Sequence, residues 1–142
     1  MKNEYISHSQ TETEKLGERL SKEIEKGTLI TLYGELGAGK TAFVRGVLKG
    51  LGYVGIVNSP TFTIVNEYIL DGCTVAHFDM YRVDGEETLA AAGFFEHRDN
   101  CSVMLVEWSE RAEMFLEAPY IEVHIEGSGE DVRKISVKKV SK

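Results

Sequence analysis

Cysteine is scarce in this chain. Cys73 and Cys101 are the only two in 142 residues, and their spacing matches no metal-ligand pattern. Two buried free thiols in a reducing compartment are the expectation. Long apolar stretches are missing too. No run of about 18 apolar residues occurs, so no membrane span is expected. The polar start MKNEYISHSQ does not read as a secretory leader, which leaves the cytoplasm as the expected location. There are two prolines, Pro60 and Pro119, and no linker, repeat or low-complexity segment. Positive charge is in deficit, with 16 Lys and Arg against 23 Asp and Glu and a net charge of -7. That argues against broad electrostatic binding to DNA or RNA by this chain alone, while leaving room for a nucleic-acid pathway reached through a partner. A guanine-reading N-K-x-D motif is absent, as is an arginine-rich lid segment.

What is present suits one soluble domain over residues 1–142. Apolar residues make up 42% and charged residues 27%, ordinary values for a globular chain. A chain of this size buries roughly two thirds of its unfolded surface.

The stretch from Thr28 to Gly46 carries the strongest signal. Leu29, Ile30, Leu32 and Tyr33 form a short apolar run; Ala42, Phe43, Val44, Val47, Leu48 and Leu51 repeat at helical spacing. Between them, Gly34-Glu35-Leu36-Gly37-Ala38-Gly39-Lys40-Thr41 fits G-x-x-x-x-G-K-[ST] in full. Glycines at these positions let main-chain N–H groups turn toward an anion, and the helix start adds unpaired N–H groups and partial positive charge. Lys40 supplies a point charge for the β- and γ-phosphates. The Thr41 hydroxyl suits a hydrated Mg2+, which takes few protein ligands.

Around this loop the other elements can be read in order. Ser9-Gln10-Thr11-Glu12 resembles a capping box opening an amphipathic helix through Leu16, Leu20 and Ile24, stopped by Gly27. Thr11 and Thr13 lie in its first turn. Capping and solvation explain them by spacing alone, and a hydroxyl beside a nucleotide base is the functional alternative. Asn58-Ser59-Pro60-Thr61-Phe62 is stiffened by proline. It is either an ordinary turn or a loop that holds the Thr61 hydroxyl in place. Phe62 to Leu70 and Cys73 to Met80 flank Asp71-Gly72, a strong hairpin signal. Period two puts His77 and Asp79 on one face of the second strand. Packing or a hydrogen bond accounts for His77, with a ligand role as the alternative; Asp79 stands at a strand end, where α/β sheets face their ligands.

Asp84 to Gly93 reads as a short capped helix, with Phe94 and Phe95 packed under the sheet. Val103 to Val106 is a continuous apolar run ending in Glu107, the pattern of a central strand that delivers a carboxylate to Mg2+. Trp108 is either a core residue or a nucleotide or partner contact. After Pro119, strict alternation marks two strands around Ile121–Ile125 and Ile135–Val137. The pattern predicts an α/β chain with the P-loop NTPase fold: three layers around a mixed, mostly parallel sheet that includes an antiparallel hairpin. ATP and Mg2+ are the expected ligands, with Lys40, Asp79 and Thr61 as catalytic candidates. Asp79 or Thr61 would orient the attacking water; Arg82 and Arg111 would stabilise charge in cis, or a partner would donate that group or complete the site. A small-molecule kinase on the same fold and a nucleotide-gated binding module are the rival classes.

The segments GELGAGKT, SPTFT, HFDMYR and VEWSER, in this order and spacing, resemble the TsaE family over nearly the whole chain. These are small bacterial P-loop ATPases of tRNA threonylcarbamoyladenosine biosynthesis. The resemblance implies an ATPase that acts with TsaB and TsaD without catalysing the transfer itself, and that reaches tRNA only through those partners. It implies that Gly37, Ala38, Gly39, Lys40 and Thr41 bind the phosphates, and that Thr41 and Glu107 hold Mg2+. Thr61 and Asp79 match switch I-like and switch II-like positions. Thr13 matches a hydroxyl residue near the adenine, and Trp108, Glu110 and Arg133 match positions near the nucleotide. Ser109 stands where the family often has proline.

Overall fold

A computed structural model describes residues 2–34, 39–58, 64–80, 83–100, 102–107, 116–117, 119–127 and 132–141. Among the described residues the sheet has seven strands: β1 (Lys2–Ser7), β2 (Leu29–Tyr33), β3 (Val65–Leu70), β4 (Cys73–Asp79), β5 (Val103–Glu107), β6 (Tyr120–Gly127) and β7 (Arg133–Val140). They lie in the order β1-β7-β6-β2-β5-β4-β3. The apolar runs β2 and β5 sit side by side in the middle, as strands covered on both faces should. Pairing is parallel from β6 through β2 and β5 to β4, and antiparallel at both margins.

Two layers of helix cover the sheet. On one face, α1 (Gln10–Ser21) and α2 (Lys40–Gly50) pack over Ile30, Leu32, Val75, Leu105 and Val123. On the other, α3 (Glu86–Ala91) and α4 (Phe94–Asp99) place Leu89 and Phe94 against Leu29, Ala76, Phe78 and Val106. Successive β4 residues therefore serve opposite cores, and Val75 and His77 share the face of α1 and α2.

α1 and α2 touch main chain to main chain. A Cβ built on Gly17 would lie 2.3 Å from the Phe43 carbonyl oxygen, and one on Gly46 would lie 1.9 Å from that of Glu14. Neither position accepts a side chain unless the helices separate. Ser9 caps α1, its Oγ accepting from the Glu12 N–H at 3.1 Å. Glu12 in turn accepts from the His8 N–H at 3.2 Å, one residue earlier than a standard capping box. The helix ends at Ser21, short of Gly27. Ser21 turns its hydroxyl back to the Glu18 carbonyl, a bond that competes with helix continuation. Ile24 still packs on the core, but from beyond the helix.

The Asp71-Gly72 hairpin forms as expected, with Gly72 at φ 77°. Strand β1 and helix α4 were not anticipated. The Lys2–Ser7 strand is a polar margin held by β7. Helix α4 is fastened by His97, which bonds Ser102 Oγ through Nδ1 at 2.9 Å and Glu67 through Nε2 at 2.5 Å. Cys73 is a free thiol but only half-buried; Cys101 lies outside the described residues.

Candidate functional site

The parallel strands β2, β4 and β5 end at the same side of the sheet, where α2 begins. Gly39 caps α2 with φ 105°, a left-handed conformation that a Cβ would strain. A Cβ there would stand 3.9 Å from the Thr13 methyl group, so α1 closes over the start of the loop helix. The first turn of α2 leaves its N–H groups without intrahelical acceptors.

Lys40 opens that turn with only 6% of its side chain exposed. Its Nζ donates to the Gly34 carbonyl at 2.6 Å and stands 3.5 Å from Glu107 Oε1. One ammonium thus joins the end of β2, the start of α2 and the end of β5. Thr41, next in the same turn, is half-buried. Glu107 is buried at the tip of β5, and its Oε2 meets His77 Nε2 at 2.5 Å. Burial alone would push the Glu107 carboxyl up. The hydrogen bond and charge of His77, with the charge of Lys40, outweigh it and hold the carboxyl below its ordinary value. An ionised carboxylate only accepts, so the proton of this bond belongs to His77 Nε2. His77 is fully buried, and among the described residues its Nδ1 has no hydrogen-bond partner.

Asp79 ends β4 beside Glu107, its register partner on β5. Its N–H donates to the Ile64 carbonyl at 2.8 Å, which ties the base of the hairpin just after residues 59–63. Thr13 is neither solvated nor a cap. It is buried, and its Oγ1 lies 2.8 Å from Ser7 Oγ, which itself donates to the Ser9 carbonyl. Arg133 pairs across the sheet with both Ser7 and Gly127, so Ser7 links the Thr13 and Arg133 positions. Arg133 Nη1 donates to the Val132 carbonyl at 3.0 Å.

The structure therefore gathers Gly39, Lys40, Thr41, Asp79 and Glu107 at one end of the strands, with Thr13 and Arg133 joined through Ser7 beside them. Gly37, Ala38, Thr61, Trp108 and Glu110, with Arg82 and Arg111, lie outside the described residues. A separate recess of about 360 Å3 lies away from these residues, lined by Glu67, Cys73, His97 and Ser102 among others.

Residues 7–135 match the family model described as threonylcarbamoyl adenosine biosynthesis protein TsaE. This chain belongs to the TsaE family. Proteins named tRNA threonylcarbamoyladenosine biosynthesis protein TsaE are similar to it. That of Haemophilus influenzae is 42% identical over 72% of this chain and 65% of its own length, just under two thirds of the relative. That of Bacillus subtilis is 41% identical over 78% of this chain and 68% of its own. That of Rickettsia felis is 35% identical over 93% and 77%. The crystal structure of Bacillus subtilis YdiB superposes with a TM-score of 0.83 at 31% identity, covering 99% of this chain and 87% of that one. The α/β architecture expected from the sequence, with a mixed sheet that is parallel in the middle, is thereby shown for this TsaE chain.

Two participants in the TsaE site escaped the sequence reading. Ser7 stands in the polar start MKNEYISHSQ, which shows no local signal of a structural role, although it precedes the Ser9 cap that fixes where α1 starts. His77 was expected to pack or to bond, but its partner was not identifiable. The HFDMYR and VEW segments each supply half of the pair, and only the β4–β5 register brings them together.

Proposed function

We propose that this chain binds ATP with Mg2+ and hydrolyses it. In this reading it works with TsaB and TsaD toward the threonylcarbamoyl group on adenosine 37 of tRNAs reading codons that begin with adenine, without catalysing that transfer. The observation that carries the reading is the buried Lys40–Glu107 pair at the start of α2. A fully buried ion pair is a poor source of stability by itself, since desolvation offsets its attraction. A phosphate cradle that needs one cation and one carboxylate in fixed places explains why the fold keeps it.

The donor set fits Mg2+: a buried carboxylate held ionised at Glu107 and a hydroxyl at Thr41 are hard oxygen ligands, with the remaining positions left to water and phosphate. Thr41 and Glu107 would hold the ion, which supplies charge neutralisation at the phosphates when bound. The N–H groups at the start of α2 and Gly39 would cradle the phosphates, and Lys40 would exchange the Gly34 carbonyl for phosphate oxygens. Thr13, from α1, would sit beside the base. Asp79 would orient the attacking water and accept its proton. Catalysis in such a site is positioning and electrostatics, with no covalent intermediate on the protein.

The test is ATP hydrolysis by this chain alone, with TsaB and TsaD, and with tRNA added. Weak turnover that changes when both partners are present is expected. No ATP binding, or turnover indifferent to partners that also fail to co-elute, refutes the reading.

A further inference from the structure

We propose that His77 is a positioning residue for the divalent cation of the bound nucleotide, holding the Glu107 carboxylate in the one orientation that leaves Oε1 toward Lys40. The inference rests on the reading that this site takes a magnesium nucleotide.

The position asks for an apolar residue. His77 is completely buried, opposite Leu105 on β5 and on the face that carries Val75. An imidazole there leaves Nδ1 without a partner among the described residues, an arrangement that disfavours folding. What the ring provides in return is one short bond: Nε2 to Glu107 Oε2 at 2.5 Å. That bond occupies one carboxylate oxygen and sets the direction of the other, which stands 3.5 Å from Lys40 Nζ.

Lys40 does not orient Glu107 in the same way. Its shorter bond goes to the Gly34 carbonyl at 2.6 Å, and its ammonium is the group a triphosphate would draw away. With Lys40 turned to phosphate, His77 is what keeps the carboxylate aimed. Groups that hold a ligating carboxylate from behind govern metal affinity about 10–100-fold. His77 is a β4 residue that reaches the site through Glu107, so its effect falls on the cation and spares the nucleotide's other contacts.

The experiment titrates a fluorescent ATP analogue in EDTA and again with saturating Mg2+. The ratio of the two dissociation constants isolates the cation's share of binding. In His77→Leu that ratio should fall by on the order of tenfold, with affinity in EDTA unchanged within about twofold. His77→Gln, whose amide nitrogen stands near the place of Nε2, should recover most of the ratio. His77→Asn, whose amide stops closer to the main chain, should not. If His77→Leu does not fold, the Gln and Asn variants decide. A wild-type ratio in His77→Leu overturns the proposal. So do parallel losses with and without Mg2+, the mark of a merely structural residue, or equal behaviour of Gln and Asn. Failure of the underlying reading looks different, because the unmodified chain would then bind no nucleotide in either buffer.

Discussion

An ammonium buried to 6% exposure must be hydrogen-bonded and paired, and Lys40 is both. On the proposed reading, replacing it removes a charge-assisted bond to phosphate, worth roughly 1.5–3 kcal/mol. Lys40→Ala should therefore weaken ATP binding by about tenfold or more, read by titration with a fluorescent analogue; unchanged affinity would count against the cradle. Asp79→Ala separates binding from turnover. Nucleotide affinity should survive while hydrolysis falls, whereas a nucleotide-gated module would keep its control of the partners. Glu107 sets an acid limb. Its carboxyl is held below the ordinary value of 4.5, so it stabilises the native state above that pH, and the contribution is lost as pH falls through the lowered value. Thermal melts in EDTA should show stability declining from about pH 4.5 downward, with a shallower decline in Glu107→Gln. That Lys40, Thr41, Asp79 and Glu107 stand at one end of the sheet was legible in the sequence, because the glycine motif marks a helix start and the apolar runs mark strand tips. The His77–Glu107 bond was not, because it joins residues 30 apart through a strand register that no local pattern states.

Among the elements, the contact between α1 and α2 sets the closest tolerance. A Cβ at Gly46 would meet backbone, with no side chain there to swing aside. Gly46→Ala should destabilise by about 1–3 kcal/mol or more, lowering the melting temperature by on the order of 5–10 °C for a domain of this size. Gly85→Ala is the control. Gly85 has extended backbone at φ 176° and nothing within 4 Å of an added Cβ, so its melting point should fall less, by the loss of a glycine N-cap on the short α3 alone. A larger drop for Gly85 would show that helix contact is not the cause. The Asp71-Gly72 hairpin and the central strands were readable because turn chemistry and apolar runs are local signals. The glycine contact was invisible, since a helical glycine looks the same whether or not another helix presses on it. The stop of α1 at Ser21 was hidden by Ile24, which continues the apolar spacing without continuing the helix.

For the molecule as a whole, net charge separates direct from relayed contact with nucleic acid. At -7, this chain alone should bind tRNA no more tightly than about 10⁻⁴ M at physiological salt. Gel-shift assays should show tRNA retention only when TsaB and TsaD are present, and tight retention by the lone chain would contradict the relayed role. No helix among the described residues is long and apolar enough to cross a membrane. The sheet's parallel middle followed from sequence, because apolar strands alternating with helices leave few topologies. Its first strand did not: β1 carries too few apolar residues to announce itself, and it is recognisable only once β7 lies beside it.

That pairing puts the molecule's assembly on a schedule. β1 leaves the ribosome before any strand it will join, and its neighbour β7 emerges after every other strand. Until then Ser7 has no sheet to anchor it, and the α1 segment that follows starts beside an unfinished edge. Nascent chains cut short before residue 133 should therefore leave β1 open to protease, and the site where Lys40 meets Glu107 should mature only once β7 has been made.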